Sequence, residues 1–193
     1  MPRKPIFSEA TIALKARETR IVVVADTHSR PHKNAHELIA EKNPHYILHA
    51  GDIGELSVLD RLEKIAPLIT VRGNIDEIRH DLPDYVTINL DKSGQTQARW
   101  LMTHIAVYGP KLRGPVRKIA QQKKANMVVC GHSHVPLMVR DRDMIVFNPG
   151  SIGPRRFTLP ILFGVIYVSS KGIRLEHFDC ETGEAWKPPV LPN

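Results

Sequence analysis

The chain has 193 residues, 42% of them hydrophobic and 24% charged, with a formal net charge of +7 and a pI near 9.6. That length suits one domain with an ample core, and no apolar stretch nears the roughly 20 residues that a membrane-spanning helix needs. Two cysteines, Cys130 and Cys180, are too few for a disulfide framework, and the stretch from Met1 to Glu9 lacks the apolar region of a secretory signal, so a cytoplasmic location is expected.

Residues 1–19 are polar without clear periodicity and are expected to form an arm ahead of the domain. From Arg20 the pattern becomes strand, loop, helix. Ile21–Ala25 is a continuous apolar run, as in a strand buried on both faces. Lys33–Asn43 spaces Ala35, Leu38 and Ile39 as a helix does and stops before Pro44. Tyr46–Ala50 reads as the next strand. Glu55–Ala66 sets Leu56, Leu59, Leu62 and Ile65 on one helical stripe, with Pro67 as the stop. Leu68–Val71 reads as a further strand, and this βαβαβ order implies parallel pairing with right-handed crossovers.

Tyr85–Leu90 and Gln97–Thr103 are β-type runs around the turn-rich Asp91–Gly94, which predicts a hairpin. A helix over 116–124 and a strand over Met127–Cys130 follow. Val135–Arg140 with Met144–Phe147, and Ile161–Val168 with Ile173–Phe178, flank polar turns. The domain is expected to span 20–180, with an extended tail over 181–193. Two mixed β-sheets packed face to face and flanked by helices would bury these strands, which predicts an α/β fold: a four-layer αββα sandwich.

Five of the apolar runs end on residue types that bind metals or phosphates. Ile21–Ala25 delivers Asp26 and His28 in D-T-H, and Tyr46–Ala50 delivers Asp52 in G-D. Leu68–Val71 delivers Asn74 in G-N-I-D, Trp100–Thr103 delivers His104, and Met127–Cys130 delivers His132 and His134 in G-H-S-H. Loops beyond the carboxyl ends of strands line the ligand crevice in open α/β sheets. Each motif alone has a bland reading as a turn or a cap. Jointly, the seven side chains read as a two-metal site.

These motifs, with N-P-G-S at 148–151, resemble the calcineurin-like metallophosphoesterases, and most closely their small prokaryotic phosphodiesterase branch, over about residues 20–180. The family's fold is the sandwich inferred above. The resemblance implies that Asp26, His28, Asp52 and His134 hold one metal. Asp52 would bridge to a second metal held by Asn74, His104 and His132. A bridging carboxylate sets two cations about 3.5–4 Å apart, where they clamp the oxygens of an in-line displacement at phosphorus by hydroxide. Mixed imidazole and carboxylate ligation suits two divalent ions, manganese foremost, with iron, nickel, cobalt and zinc also compatible. The expected function is thus a divalent-metal-dependent phosphodiesterase acting on a small phosphoester, with Asp52 and Asn74 as catalytic residues. Asn74 and Arg156 would contact substrate.

Around this set, Asp76 is expected to fix the loop presenting Asn74, and Arg155 shares with Arg156 the alternative of an exposed loop. His49 in H-A-G-D is left out because strand alternation turns it into the core. Cys130 is read as a small core residue. Two departures stand out. Relatives often read G-N-H-D or G-N-H-E, where the His is thought to protonate the leaving group; here Ile75 holds that position and cannot donate a proton. His32 and His80 are the candidate replacements. After His104 the chain reads T-H-I-A where relatives often have T-H-G-H, so the neighbouring loop is expected to differ.

The basic charge concentrates in Lys111, Arg113, Arg117, Lys118, Lys123 and Lys124, within fourteen residues. The bland reading is the solvated face of a helix, while an anionic partner, nucleic acid included, is left open. Two other functions compete: a non-catalytic protein-interaction scaffold on the same fold, and a nuclease or nucleotide phosphatase. A homo-oligomer is also left open.

Overall fold

The computed structural model describes residues 3–188; residues 1–2 and 189–193, the latter within the expected extended tail, lie outside the described residues. Residues 7–13, expected as part of an arm, instead form strand β1 (Phe7–Ala13), which pairs in parallel with β5 (Tyr85–Lys92) at a sheet edge. Only Ile12 of β1 is fully buried, while Phe7, Glu9, Thr11 and Ala13 face outward. With so few apolar positions on its inner face, the strand carries little sequence signal.

The βαβαβ expectation is met. Strand β2 (Glu18–Val24), helix α1 (Ala35–Glu41), strand β3 (Tyr46–His49), helix α2 (Ser57–Glu63) and strand β4 (Leu68–Thr70) follow in order, with β2, β3 and β4 parallel neighbours. Strand β6 (Gln95–Thr103) closes the expected hairpin with β5. A small hairpin then forms from β7 (Val107–Tyr108) and β8 (Lys111–Leu112), before helix α3 (Gly114–Gln122) and strand β9 (Met127–Val129). Strands β10 (Leu137–Asp141) and β11 (Met144–Asn148) make one antiparallel pair, β12 (Leu162–Ser169) and β13 (Gly172–Asp179) another. The short β14 (Ala185–Trp186), in the expected tail, pairs with β13. Among the described residues no helix is long and apolar enough to cross a membrane.

Two six-stranded mixed sheets result, in the orders β1-β5-β6-β9-β11-β10 and β14-β13-β12-β2-β3-β4. Strand alternation assigns the layers. On β2, Ile21 and Val23 join the core between the sheets with Ile88, Trp100, Met102 and Phe147, whereas Val22 and Val24 pack outward against Ala35 and Ile39 of α1 and Val58 and Leu62 of α2. The other sheet turns Leu101, Val128 and Val146 outward against Val116 and Ala120 of α3. This is the four-layer αββα sandwich. Each fully buried large apolar side chain contributes about 1.5–3 kcal/mol. The inter-sheet layer therefore holds the two sheets in fixed alignment, and with them the carboxyl ends of β2, β3, β4, β6 and β9.

Candidate metal centre

Backbone bonds hold the strand ends within each sheet, and a side chain joins one sheet to the other. Asp26 N–H donates to Gly51 C=O at 2.9 Å within one sheet, and Gly131 N–H donates to His104 C=O at 3.0 Å within the other. Between the sheets, His104 Nδ1 lies 2.7 Å from Ala50 C=O. A carbonyl only accepts, so Nδ1 carries the hydrogen and Nε2 is left with its lone pair facing inward.

The seven predicted residues converge there in two groups. Asp26, His28 and His134 form one, Asp52, His104 and His132 the other, each offering one ligand atom within 4.8 Å of its fellows. His28 Nε2 and His134 Nε2 lie 3.2 Å apart, and His134 Nε2 is 3.3 Å from Asp26 Oδ1. Asn74 joins the other group, its Oδ1 3.2 Å from His104 Nε2. Asp52 stands between the groups: Oδ1 is 3.1 Å from His104 Nε2 and Oδ2 is 3.8 Å from His28 Nε2. One carboxylate thus turns an oxygen to each side.

The donor set fits divalent cations. Asp26 is fully buried, and its Oδ2 accepts from His132 N–H at 3.0 Å while, among the described residues, Oδ1 has no hydrogen-bond partner. A buried unpartnered carboxylate oxygen is costly unless something else meets it. Left-handed backbone at Asp26, His28, Asp52, His132 and His134, with φ from 45° to 70°, points the same way. Asp and His tolerate this region better than most residues, yet each such residue stores strain that the surrounding structure must hold in place. Close approach completes the constraint: a Cβ on Gly73 would lie 2.0 Å from Asp52 N.

Electrostatics follow from this crowding. Burial alone would push the Asp52 carboxyl up, but the hydrogen bond and charge of His104, the Ile75 N–H and His28 hold it down to about 2. Burial likewise lowers His104, yet the Asp52 hydrogen bond, the charges of Asp26 and Asp52 and the Ala50 carbonyl together raise it above the ordinary histidine value. Burial lowers both His28 and His132. A cation bound here competes with a proton for the His104 Nε2 lone pair.

Residues outside the ligand set fix its loops. Asp76 accepts from Ile53 N–H, Gly54 N–H and Gly73 N–H at 2.8–3.1 Å, tying the loop after β3 to the loop after β4, as expected. Asn148 of N-P-G-S donates to Gly131 C=O, and Ser151 Oγ donates to Asp26 C=O at 3.0 Å. His49 is fully buried, as expected, but on the face of β3 that it shares with Val24 and Ile47, and there it braces the site. Its Nδ1 accepts from Gly51 N–H at 3.2 Å, and its Nε2 meets Thr27 Oγ1 at 3.0 Å. Strand alternation gave the direction of His49 but carried no signal of these partners.

Of the two arginines after N-P-G-S, Arg155 is engaged by Glu181 and the Leu159 carbonyl, whereas Arg156 Nη2 lies 3.2 Å from His28 Nε2. Ile75 is half exposed beside Asn74. His32 and His80 form no hydrogen bond with the seven residues among those described, and Asp81 pairs with Arg79 in an exposed loop. Cys130 is a core residue: burial pushes its thiol up to about 12. The basic run is partly spent within the fold, Arg117 on Asp141 and Lys123 on Glu9.

A family model described as the calcineurin-like phosphoesterase superfamily domain matches residues 19–171. A probable metallophosphoesterase of Methanocaldococcus jannaschii is 28% identical over 134 residues, covering 68% of this chain and 67% of that protein. The phosphodiesterase YfcE of Escherichia coli is 24% identical over 146 residues, covering 67% and 76%. Vacuolar protein sorting 29 from Cryptosporidium parvum shares the fold, with a TM-score of 0.70 at 17% identity over 88% of this chain and 95% of its own.

Proposed function

The chain belongs to the calcineurin-like phosphoesterase superfamily, and from that premise we propose that it is a divalent-metal-dependent phosphodiesterase. The observation that carries this reading is Asp52, whose two oxygens face separate groups of nitrogen and oxygen donors. A single carboxylate shared in this way is what a pair of cations requires. The family relationship and a homologue named as a phosphodiesterase support the same reaction class.

In this reading Asp26, His28, Asp52 and His134 hold one ion, and Asp52, Asn74, His104 and His132 hold the other, with manganese the first candidate. When bound, the ions would neutralise charge on the phosphoryl oxygens and lower the pKa of water to make a nucleophile. The protein's own residues do the rest. The Asn74 amide, exposed at the end of its loop, donates to a phosphoryl oxygen. Arg156 adds a guanidinium on the His28 side, suited to a second phosphoryl oxygen. Ile75 supplies no proton to the leaving group. The favoured substrates are therefore diesters whose leaving groups depart as stable anions, such as aryl esters, ahead of alkyl monoesters.

The test is metal analysis of the purified protein, then turnover of phosphomonoesters, aryl diesters and cyclic nucleotides with Mn²⁺, using Asp52→Ala as control. Aryl diesters should turn over only with metal and fail in the variant. No metal-dependent turnover, or an equal rate in the variant, would leave the interaction scaffold as the better reading.

A further inference from the structure

Beside the Asn74 and His104 half of the centre lies a cleft of about 280 Å³, lined in part by Pro5, Arg72, Tyr85, Ile105 and Arg113. Its volume falls at the lower edge of small-ligand pockets, which suits one substituent of a substrate rather than a whole ligand. Two arginines face it in different states. Arg72 is tied down: its Nε donates to Asp84 Oδ1 at 3.1 Å and its Nη1 to the Gly73 and Asp76 carbonyls. Asp84 also takes Arg3 at 2.6 Å and Ile6 N–H at 2.7 Å, which seats the Pro5–Ile6 segment as a wall of the cleft.

Arg113 differs. It is exposed, and among the described residues it forms no ion pair, while its backbone N–H is pinned to Ala106 C=O at 2.9 Å. It directly precedes α3, so the positive end of that helix adds to the guanidinium charge. With two arginines against the one carboxylate of Asp84, the cleft is net cationic. On the opposite flank Arg156 already stands against His28. One phosphoryl group needs only one such partner beyond the cations. The Arg113 guanidinium in the adjoining cleft is placed for a further anionic group.

We propose that this cleft is a second-anion subsite, in which Arg113 binds a phosphate carried on a substituent of the scissile phosphoester. The proposal rests on the phosphodiesterase reading for the position of the scissile group. It names the substrate class: phosphodiesters bearing a further phosphate on one substituent, as in short oligonucleotides with a terminal phosphate, for which bisphosphates serve as binding probes. Arginine suits this role because its planar fork meets two phosphate oxygens at once.

Equilibrium binding tests the assignment without turnover. Thymidine 3′,5′-bisphosphate is compared with thymidine 5′-monophosphate, and propane-1,3-diyl bisphosphate with propyl phosphate, by calorimetric titration of the full chain with Mn²⁺. The wild type should prefer each bisphosphate by roughly tenfold or more, the range of one charge-assisted contact. Arg113→Ala should reduce that preference to below about twofold, while Arg113→Lys keeps part of it. Preference for both bisphosphates assigns recognition to the phosphate alone, and preference confined to the thymidine pair assigns it to a nucleotide. A wild type blind to the second phosphate, or an Arg113→Ala protein that retains the preference, would overturn the proposal. Thermal melting of both variants separates this from misfolding. Failure of Mn²⁺-dependent aryl diester hydrolysis would instead sink the phosphodiesterase reading and leave the binding ratios to be read on their own.

Discussion

His104, at the end of one sheet, donates its Nδ1 hydrogen to the carbonyl of Ala50, at the end of a strand in the other, over 2.7 Å. That bond fixes both the tautomer and the ring direction, and it sends the Nε2 lone pair toward Asp52 and Asn74. Alignment of the two sheets and orientation of a candidate ligand are thus one constraint. Perturbing either should be felt by the other.

Asp76 is the sharpest place to see this, because it accepts three backbone N–H groups without entering the donor set. Asp76→Asn replaces one accepting oxygen with an NH₂ that can only donate. Stability should fall by about 1–3 kcal/mol and Mn²⁺ affinity by roughly 10–100-fold. Calorimetric titration and urea unfolding measure the two losses; an unchanged metal affinity would show that the loop does not set the centre.

Gly73 leaves no room beside Asp52. Gly73→Ala must displace the Asp52 backbone, so a loss of about 1–3 kcal/mol or more is expected, with weaker metal binding. Gly114→Ala is the comparison, since an added methyl there meets nothing within 4 Å among the described residues and should stay within about 0.5 kcal/mol of wild type. Equal melting temperatures for the two variants would contradict the close-approach argument.

Ile75 can be exchanged for the proton donor it lacks. Ile75→His should raise turnover of alkyl phosphodiesters toward the roughly 10²–10⁴-fold typical of general-acid help, read as the ratio of variant to wild-type rates, and should change aryl diesters far less. Its new acid should appear as an added descending limb at high pH. A uniform change across leaving groups would mean that position 75 does not reach the leaving oxygen.

Acid should weaken the fold through His49. Its Nδ1 accepts from Gly51 N–H, so the neutral ring is required, and burial lowers its pKa to about 4. In the unfolded chain the same group titrates near 6.5. Between those values the unfolded state binds the extra proton, so stability is complete above about pH 6.5 and declines as pH falls toward 4. The full loss is about 3 kcal/mol. Urea midpoints of chelator-treated protein at pH 7, 5.5 and 4 should show it, and His49→Gln should flatten that limb. A wild-type midpoint constant over the range would refute the assignment.

The sequence by itself determined the strands of both halves other than β1, β7, β8 and β14, the βαβαβ crossovers and the identity of all seven converging side chains. Those features are local: an apolar run, its period and the residue that ends it are written within a few positions of each other. It also placed Asp76 beside Asn74 and Cys130 in the core. Only the tertiary structure decided what depends on residues far apart in the chain. Strand β1 exists because β5, some eighty residues later, offers it an edge, and its own pattern is too sparse to announce it. Arg156 rather than Arg155 faces His28 because Glu181 occupies the other, and His49 braces the centre because Gly51 and Thr27 are brought to its two nitrogens. Arg113 passed as one charge in a basic run until packing set it beside Asn74 and His104. Residue type and spacing supply the chemistry. Which carboxylate oxygen faces which imidazole, and which arginine remains free, is settled by two sheets closing on a shared core.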